Sequence, residues 1–295
     1  MVIIGAVVAA LGWGISDYLG GDASRRDAPV FAIVAISEAI GVLLLGPALI
    51  MQLSAIPDSP RLVFAVLAGF SVTFELGLIY RALSRGRALI TAPVGALGAV
   101  VAVMIGVFGG DRLGPMIVIG LVCALAGSAI STWNPSGNAG LGALRQSDVL
   151  ICLAAAVSVG LTLTLLHEAA PLNAYWVTAT QHASTGASSG LVAAIVAARA
   201  ASRGRRGRCG ADSLFTRRRL AGFLLIALAG TGGDIGYVSA SHRGALSIVA
   251  ALASLYPVTT IALGRVLRGH RASRLQLLGV TVALAGAVLL GAATR

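Results

Sequence analysis

Lysine is missing from the chain altogether, and only 11% of its 295 residues are charged, against about 25% in a soluble globular domain. Aromatic residues make up 5%, and no polar stretch is long enough to build a domain outside a membrane. These shortages exclude a water-soluble fold. A hydrophobic content of 57% and a mean hydropathy of +0.90 exclude disorder as well. The three cysteines, Cys123, Cys152 and Cys209, lack the paired spacing of a metal or redox motif. The first two sit in apolar runs as packing residues and the third is a loop thiol. There is no Walker A sequence, so the chain cannot drive transport by its own nucleotide hydrolysis. Nor is there a paired-carboxylate or clustered His/Cys constellation, so neither cofactor nor metal is expected. Gly186-Ala187-Ser188-Ser189-Gly190 fits both the nucleophile pattern GxSxG and the packing pattern GxxxG. No strand precedes it to form a nucleophile elbow, which leaves the packing reading.

What charge there is has one dominant sign. All 22 basic residues are arginine, against 11 acidic ones, giving a net charge of +11 and a sequence pI near 11.1. The arginines lie between apolar runs, where loop charge sets membrane orientation, so no nucleic-acid partner is expected.

A transmembrane helix needs roughly 20 mostly apolar residues. Apolar runs and their breakers predict ten: 2–20, 29–52, 61–83, 87–108, 113–133, 148–167, 172–199, 217–240, 244–267 and 273–293. The N-terminus lacks the basic region of a signal peptide, so the first run is expected to be a retained helix. Turn clusters such as Gly109-Gly110-Asp111 punctuate the runs, and Asn134-Pro135-Ser136-Gly137-Asn138 is the natural midpoint linker.

Residues 110–127 laid over 269–286 match Gly110 with Gly269, Arg112 with Arg271, Gly120 with Gly279, and Ala124-Leu125-Ala126-Gly127 with Ala283-Leu284-Ala285-Gly286. Upstream, with a two-residue gap, Tyr80 pairs with Tyr237 and Ser84 with Ser241. The chain thus divides into 1–133, a linker 134–147, and 148–295, five helices on each side. An odd number inverts the second set relative to the first. The expected fold is therefore an all-α integral membrane protein of ten transmembrane helices in two inverted five-helix repeats, an architecture of secondary transporters with a substrate site near the midplane.

Leu11-Gly12-Trp13-Gly14, Tyr80-Arg81-Ala82-Leu83, and Ala253-Ser254-Leu255-Tyr256-Pro257-Val258 followed by Gly264, Gly269-His270-Arg271, Gly279 and Gly286 resemble the EamA family of the drug/metabolite transporter superfamily. The resemblance covers nearly the whole chain and implies a carrier of small metabolites, such as amino acids, or of drugs. Three positions depart from it. The fourth helix has no Pro at the place of Pro257, with Pro93 near its start instead. Where the family places Glu after the hairpin Gly, this chain has Asp111 and His270.

Ionisable groups within spans are costly and mark function by default. Five qualify: Asp17, Glu38, Glu75, His182 and Asp234. Asp17 lies four residues after Trp13, so a carboxylate and an aromatic ring share a helix face, a wall suited to a cationic or amine-bearing solute unless the span simply ends there. Glu75 lies deeper, among Ser71, Thr73 and Gly77, as a proton carrier, a ligand, or a hydrogen-bonded lock between helices. Asp234, within Gly232-Gly233-Asp234-Ile235-Gly236, marks either local unwinding or a close helix crossing. Thr178, His182, Thr185 and Ser189 form one polar face over three turns. Glu38 is the approximate repeat counterpart of His182, so the pair is expected to meet as an ion pair or over a shared proton, with a packing histidine as the alternative. Tyr80, Tyr237 and Tyr256 are further candidates for a cavity wall.

These residues lead to a multi-pass inner-membrane secondary transporter, an exporter of a small organic metabolite by alternating access, with protons as a further partner and no enzymatic activity. A non-coupled channel, a membrane assembly subunit and an intramembrane enzyme are the alternatives. With ten spans, the loops after helices 1, 3, 5, 7 and 9 carry 18 arginines and the opposite face 4. The positive-inside rule then puts both termini outside, whereas the family resemblance implies cytoplasmic termini.

Overall fold

The computed structural model describes residues 1–25, 29–51, 55–84, 94–132, 146–202, 216–268 and 273–293, the side chains of 25, 80, 82–84, 148 and 268 excepted. The described residues form helices and short turns, with no strand. Helices α1 (Val2–Arg25), α2 (Val30–Met51), α3 (Leu62–Ser84), α4 (Val94–Phe108) and α5 (Pro115–Thr132) precede the midpoint. After it come α6 (Gln146–Ala169), α7 (Ala174–Ser202), α8 (Arg217–Ser241), α9 (Leu246–Ala253), α10 (Tyr256–Arg268) and α11 (Arg274–Ala293). With α9 and α10 taken as one interrupted passage, the described residues hold ten. Eight passages are long and apolar enough to cross a membrane. Of the others, α4 is a shorter apolar helix and α7, 29 residues long, carries the polar face. This is a helical, multi-pass membrane protein, as hydrocarbon demands of a backbone that must satisfy its own hydrogen bonds.

The ends follow from local chemistry. Gly110, at φ 107°, takes the left-handed conformation after α4, and the N–H of Asp111 returns to Gly106 O at 2.9 Å. Pro115 opens α5, where its missing N–H costs nothing. Asn173 Oδ1 accepts from the N–H of Tyr175 at 2.9 Å to start α7. Ser273 and Gln276 form a reciprocal capping box at the start of α11.

The sequence predicts one helix over 244–267; the structure has two, joined through Ser254 and Leu255. Pro257 explains the break, because it lacks an N–H and its ring crowds the carbonyl four residues back. The Val258 N–H turns to Leu255 O, and Ser128 Oγ of α5 donates to the freed Ser254 carbonyl at 2.8 Å. Conversely, the glycine-rich run around Asp234 is not unwound. It continues as helix through all of α8 and serves the close crossing instead.

Small residues set the packing, since lipid supplies no hydrophobic drive between helices. Helix α1 lies on α8, α3 on α6, α2 on α7, and α5 on α11. At the α5–α11 crossing, a Cβ on Gly127 would stand 2.7 Å from Gly279 O, and one on Gly286 2.7 Å from Gly120 O. The four glycines that the sequence repeat aligns thus meet crosswise, each against the one that is aligned with the other of its own helix. Gly5 meets Gly236 and Gly12 meets Gly233 in the same manner across α1 and α8. Between α3 and α6, Ser71 and Ser158 exchange hydroxyl-to-carbonyl hydrogen bonds at 3.0 Å. All eight residues of α9 are buried, at the heart of the largest apolar cluster. The linker at 134–138, the hairpin at His270, and the loop bearing Cys209 lie outside the described residues.

Candidate functional site

A cavity of about 470 Å³ lies among the helices, within the range of small-molecule sites. Its lining takes in Ser254 and Tyr256, at the interrupted helix, Gly20 and Gly21 near the end of α1, and Val30 at the start of α2. Its wall comes from helices on both sides of the midpoint.

Three residues of that wall, Trp13, Glu38 and Asp234, belong to a chain of four polar side chains from four helices. Trp13 Nε1 of α1 donates to Asp234 Oδ1 of α8 at 2.8 Å. The other oxygen, Asp234 Oδ2, lies 3.4 Å from His182 Nε2 of α7, and His182 Nδ1 is hydrogen-bonded to Glu38 of α2. His182 is 2% exposed. Helix α8 brings Asp234 to the site because Gly233 lets α1 approach: a Cβ there would meet the Trp13 ring at 2.7 Å. An imidazole whose two nitrogens both face carboxylates is satisfied as the doubly protonated ring, or with one carboxyl holding the proton. The ring stands between the two carboxylates, so the three groups do not converge on a point as metal ligands would, and among the described residues no metal-holding group occurs.

Asp17 of α1 and Glu75 of α3 line the same wall together with Tyr256 of α10. Asp17 and Glu75 lie close enough to influence each other electrostatically, and both act on Tyr256. Among the described residues neither carboxylate has a hydrogen-bond or ion-pair partner. A carboxyl in a membrane cavity that lacks a protein cation must hold a proton or meet a cation from outside.

Of the residues singled out from sequence, Trp13, Asp17, Glu38, Glu75, Asp234 and Tyr256 line this one cavity. His182 stands behind it, joining two of them. The face formed by Thr178, His182, Thr185 and Ser189 is buried along its whole length, against protein rather than lipid, but Thr178 is not part of the cavity wall. Tyr237 is fully buried and does not line it; its ring lies tilted against that of Trp13, centroids 5.3 Å apart, and its hydroxyl donates to Leu163 O. The Tyr80 side chain lies outside the described residues.

Sequence reasoning passed over Gln181. It lines the cavity at 4% exposure, and its Oε1 has no hydrogen-bond partner. The signal was there, a long amide inside an apolar span, but it sits beside the His182 stripe rather than on it. Asp111, one of the three departures from the family pattern, plays a structural part, because its Oδ2 accepts from the N–H of Ser247 at 3.0 Å, in the first turn of α9.

The profile of the EamA-like transporter family matches residues 1–133 and 146–292. The chain belongs to that family, within the drug/metabolite transporter superfamily. The EamA-like chain also superposes on a protein of known crystal structure with a TM-score of 0.75 at 19% identity, covering 98% of this chain and 97% of that one. At that identity the likeness concerns the fold. No curated protein matches the chain. Members of this family are transporters rather than enzymes, and a wall of carboxylates, amide and aromatic rings between two sets of helices suits a passing solute.

Proposed function

We propose that the chain is a secondary carrier that exports a small organic metabolite, such as an amino acid or amine, across the inner membrane by alternating access, in exchange for protons. The observation that carries this reading is the cavity itself, whose wall holds Trp13, Asp234 and Glu38, joined through His182 behind it, and two carboxylates, Asp17 and Glu75, that have no partner among the described residues. A carboxyl that can hold either a proton or a cation is the element that an exchanger needs.

Two features support inverted repeats over 1–133 and 148–295, joined by the linker 134–147. The packing of α1 on α8 corresponds to that of α6 on α3 when each passage is exchanged for the one five places along, while α2 on α7 and α5 on α11 map onto themselves. The glycine contacts at α5–α11 obey the same exchange. The interrupted helix at Ser254 gives the cavity irregular backbone at membrane depth, tolerated where it lines a cavity. On the positive-inside rule, the ends of α1 and α3 face the cytoplasm, and the cavity extends toward that side.

Counterflow in proteoliposomes loaded in turn with amino acids, amines and sugars tests the reading. One pool is expected to accelerate entry of its labelled member, and Glu75→Gln is expected to abolish proton-coupled transport while leaving the protein folded. Full coupled activity in Glu75→Gln would remove Glu75 from the mechanism, and non-saturable flux would favour a channel.

A further inference from the structure

We infer that the cavity selects an organic amine that has N–H donors and no carboxylate, an assignment that rests on the carrier reading above. Among the described residues of its wall there is no arginine, lysine or histidine. A solute carboxylate would face Asp17 and Glu75 without a basic side chain to receive it, and like charges in a site of low dielectric repel strongly. An ammonium group meets the reverse situation, with two carboxylates and the rings of Trp13 and Tyr256 on the same wall.

Gln181 is the independent observation. Its side chain is buried, yet Oε1 is left without a donor. The amide orientation is set by Thr185. That hydroxyl gives its hydrogen to Gln181 O at 2.9 Å and so presents only lone pairs to Gln181 Nε2, 3.5 Å away. The carbonyl end, not the amino end, is therefore the unpaired one, and a buried acceptor without a donor is rare unless a ligand or water completes it. Three hydroxyls of the wall are not free to serve it: Ser37, Thr162 and Ser254 each donate to a backbone carbonyl three or four residues back. The complement of this wall is a cation that donates hydrogen bonds. Primary amines and diamines fit that description. Quaternary ammonium ions supply the charge without the donor, and amino acids add a carboxylate that the wall cannot pair.

The test uses the purified full chain and probes matched in skeleton: phenethylamine against phenylalanine, cadaverine against lysine, and phenethylamine against its N-trimethylated form. Each is measured by counterflow in proteoliposomes and by thermal-shift binding in detergent. Each amine is expected to bind and exchange at least about tenfold better than its amino acid, and the trimethylated form to lose about tenfold for want of a donor to Gln181. Gln181→Leu is expected to erase the preference for phenethylamine over its trimethylated form, while Gln181→Glu, which keeps an acceptor there, preserves it. Amino acids handled as well as their amines, or a donor preference unchanged in a folded Gln181→Leu, would overturn the assignment while leaving the carrier standing. Amine binding without counterflow would keep the assignment and remove the carrier reading. Neither binding nor counterflow for any probe would overturn both.

Discussion

His182 and Asp234, fifty-two positions apart in the chain, face each other across the bundle with Nε2 3.4 Å from Oδ2. Glu38 holds the opposite ring nitrogen and Trp13 the opposite carboxylate oxygen. Four helices, two from each side of the midpoint, are thereby tied by three polar contacts beside the cavity. In the carrier proposed above, a change of protonation or of bound solute at Glu38 or Asp234 would reach α1, α2, α7 and α8 together, as coupling of a binding event to helix movement requires.

Removing one link tests that tie. Trp13→Phe keeps a ring against Tyr237 but deletes the N–H that serves Asp234. A hydrogen bond to a charged group contributes about 1.5–3 kcal/mol, so a loss of that order is expected in equilibrium unfolding. In an Asp234→Asn background the same substitution is expected to cost distinctly less, and full additivity in the double-mutant cycle would show that the two side chains do not communicate.

The glycine crossings separate positions that tolerate a side chain from positions that do not. Gly279→Val would drive its branch into the α5 backbone, where even a Cβ would stand 2.8 Å from Gly127 O. Loss of the folded monomer in detergent is expected. Gly232→Ala, facing open space with nothing within 4 Å, is expected to be neutral or to gain up to about 1 kcal/mol from helix propensity. A Gly279→Val protein of unchanged melting temperature would contradict this packing of α5 on α11.

Pro257 offers a way to mend the interrupted helix. With Pro257→Ala the missing N–H returns, and α9 and α10 are expected to join, raising the melting temperature. The cavity loses its irregular backbone at Ser254, so transport is expected to fall. Transport at the full rate in a more stable Pro257→Ala protein would separate the break from the mechanism.

Orientation is open to a single thiol. Cys152 is buried and Cys123 partly so, each within a helix, while Cys209 lies in the sequence segment richest in arginine. If that segment is cytoplasmic, an impermeant maleimide is expected to leave Cys209 unlabelled in intact cells and to label it after lysis. Labelling in intact cells would place the arginine-rich side outside.

Much of the site was legible before any coordinates, because a bilayer makes buried charge conspicuous. Asp17, Glu38, Glu75, His182 and Asp234 stand out from apolar runs by residue type alone. Thr178 and Tyr237 were singled out too, by helical spacing and by the repeat, yet neither lines the cavity. Helical periodicity puts a residue on a face but does not say which neighbour that face meets. Gln181 was hidden for the converse reason: it carries no charge, and only the geometry of Thr185 leaves its carbonyl unpaired.

By itself, the sequence determined that this is a polytopic helical membrane protein of about ten passages with matched glycines in its two halves, since apolar run length and period are local properties that hydrocarbon enforces directly. The tertiary structure alone decided that Gly127 meets Gly279 and Gly120 meets Gly286, and that α8 stays helical through its glycines while the break falls before Pro257. It also decided that one imidazole joins two carboxylates. Those outcomes depend on which helix lies against which, and contacts between residues distant in sequence are set by the packing of the whole bundle.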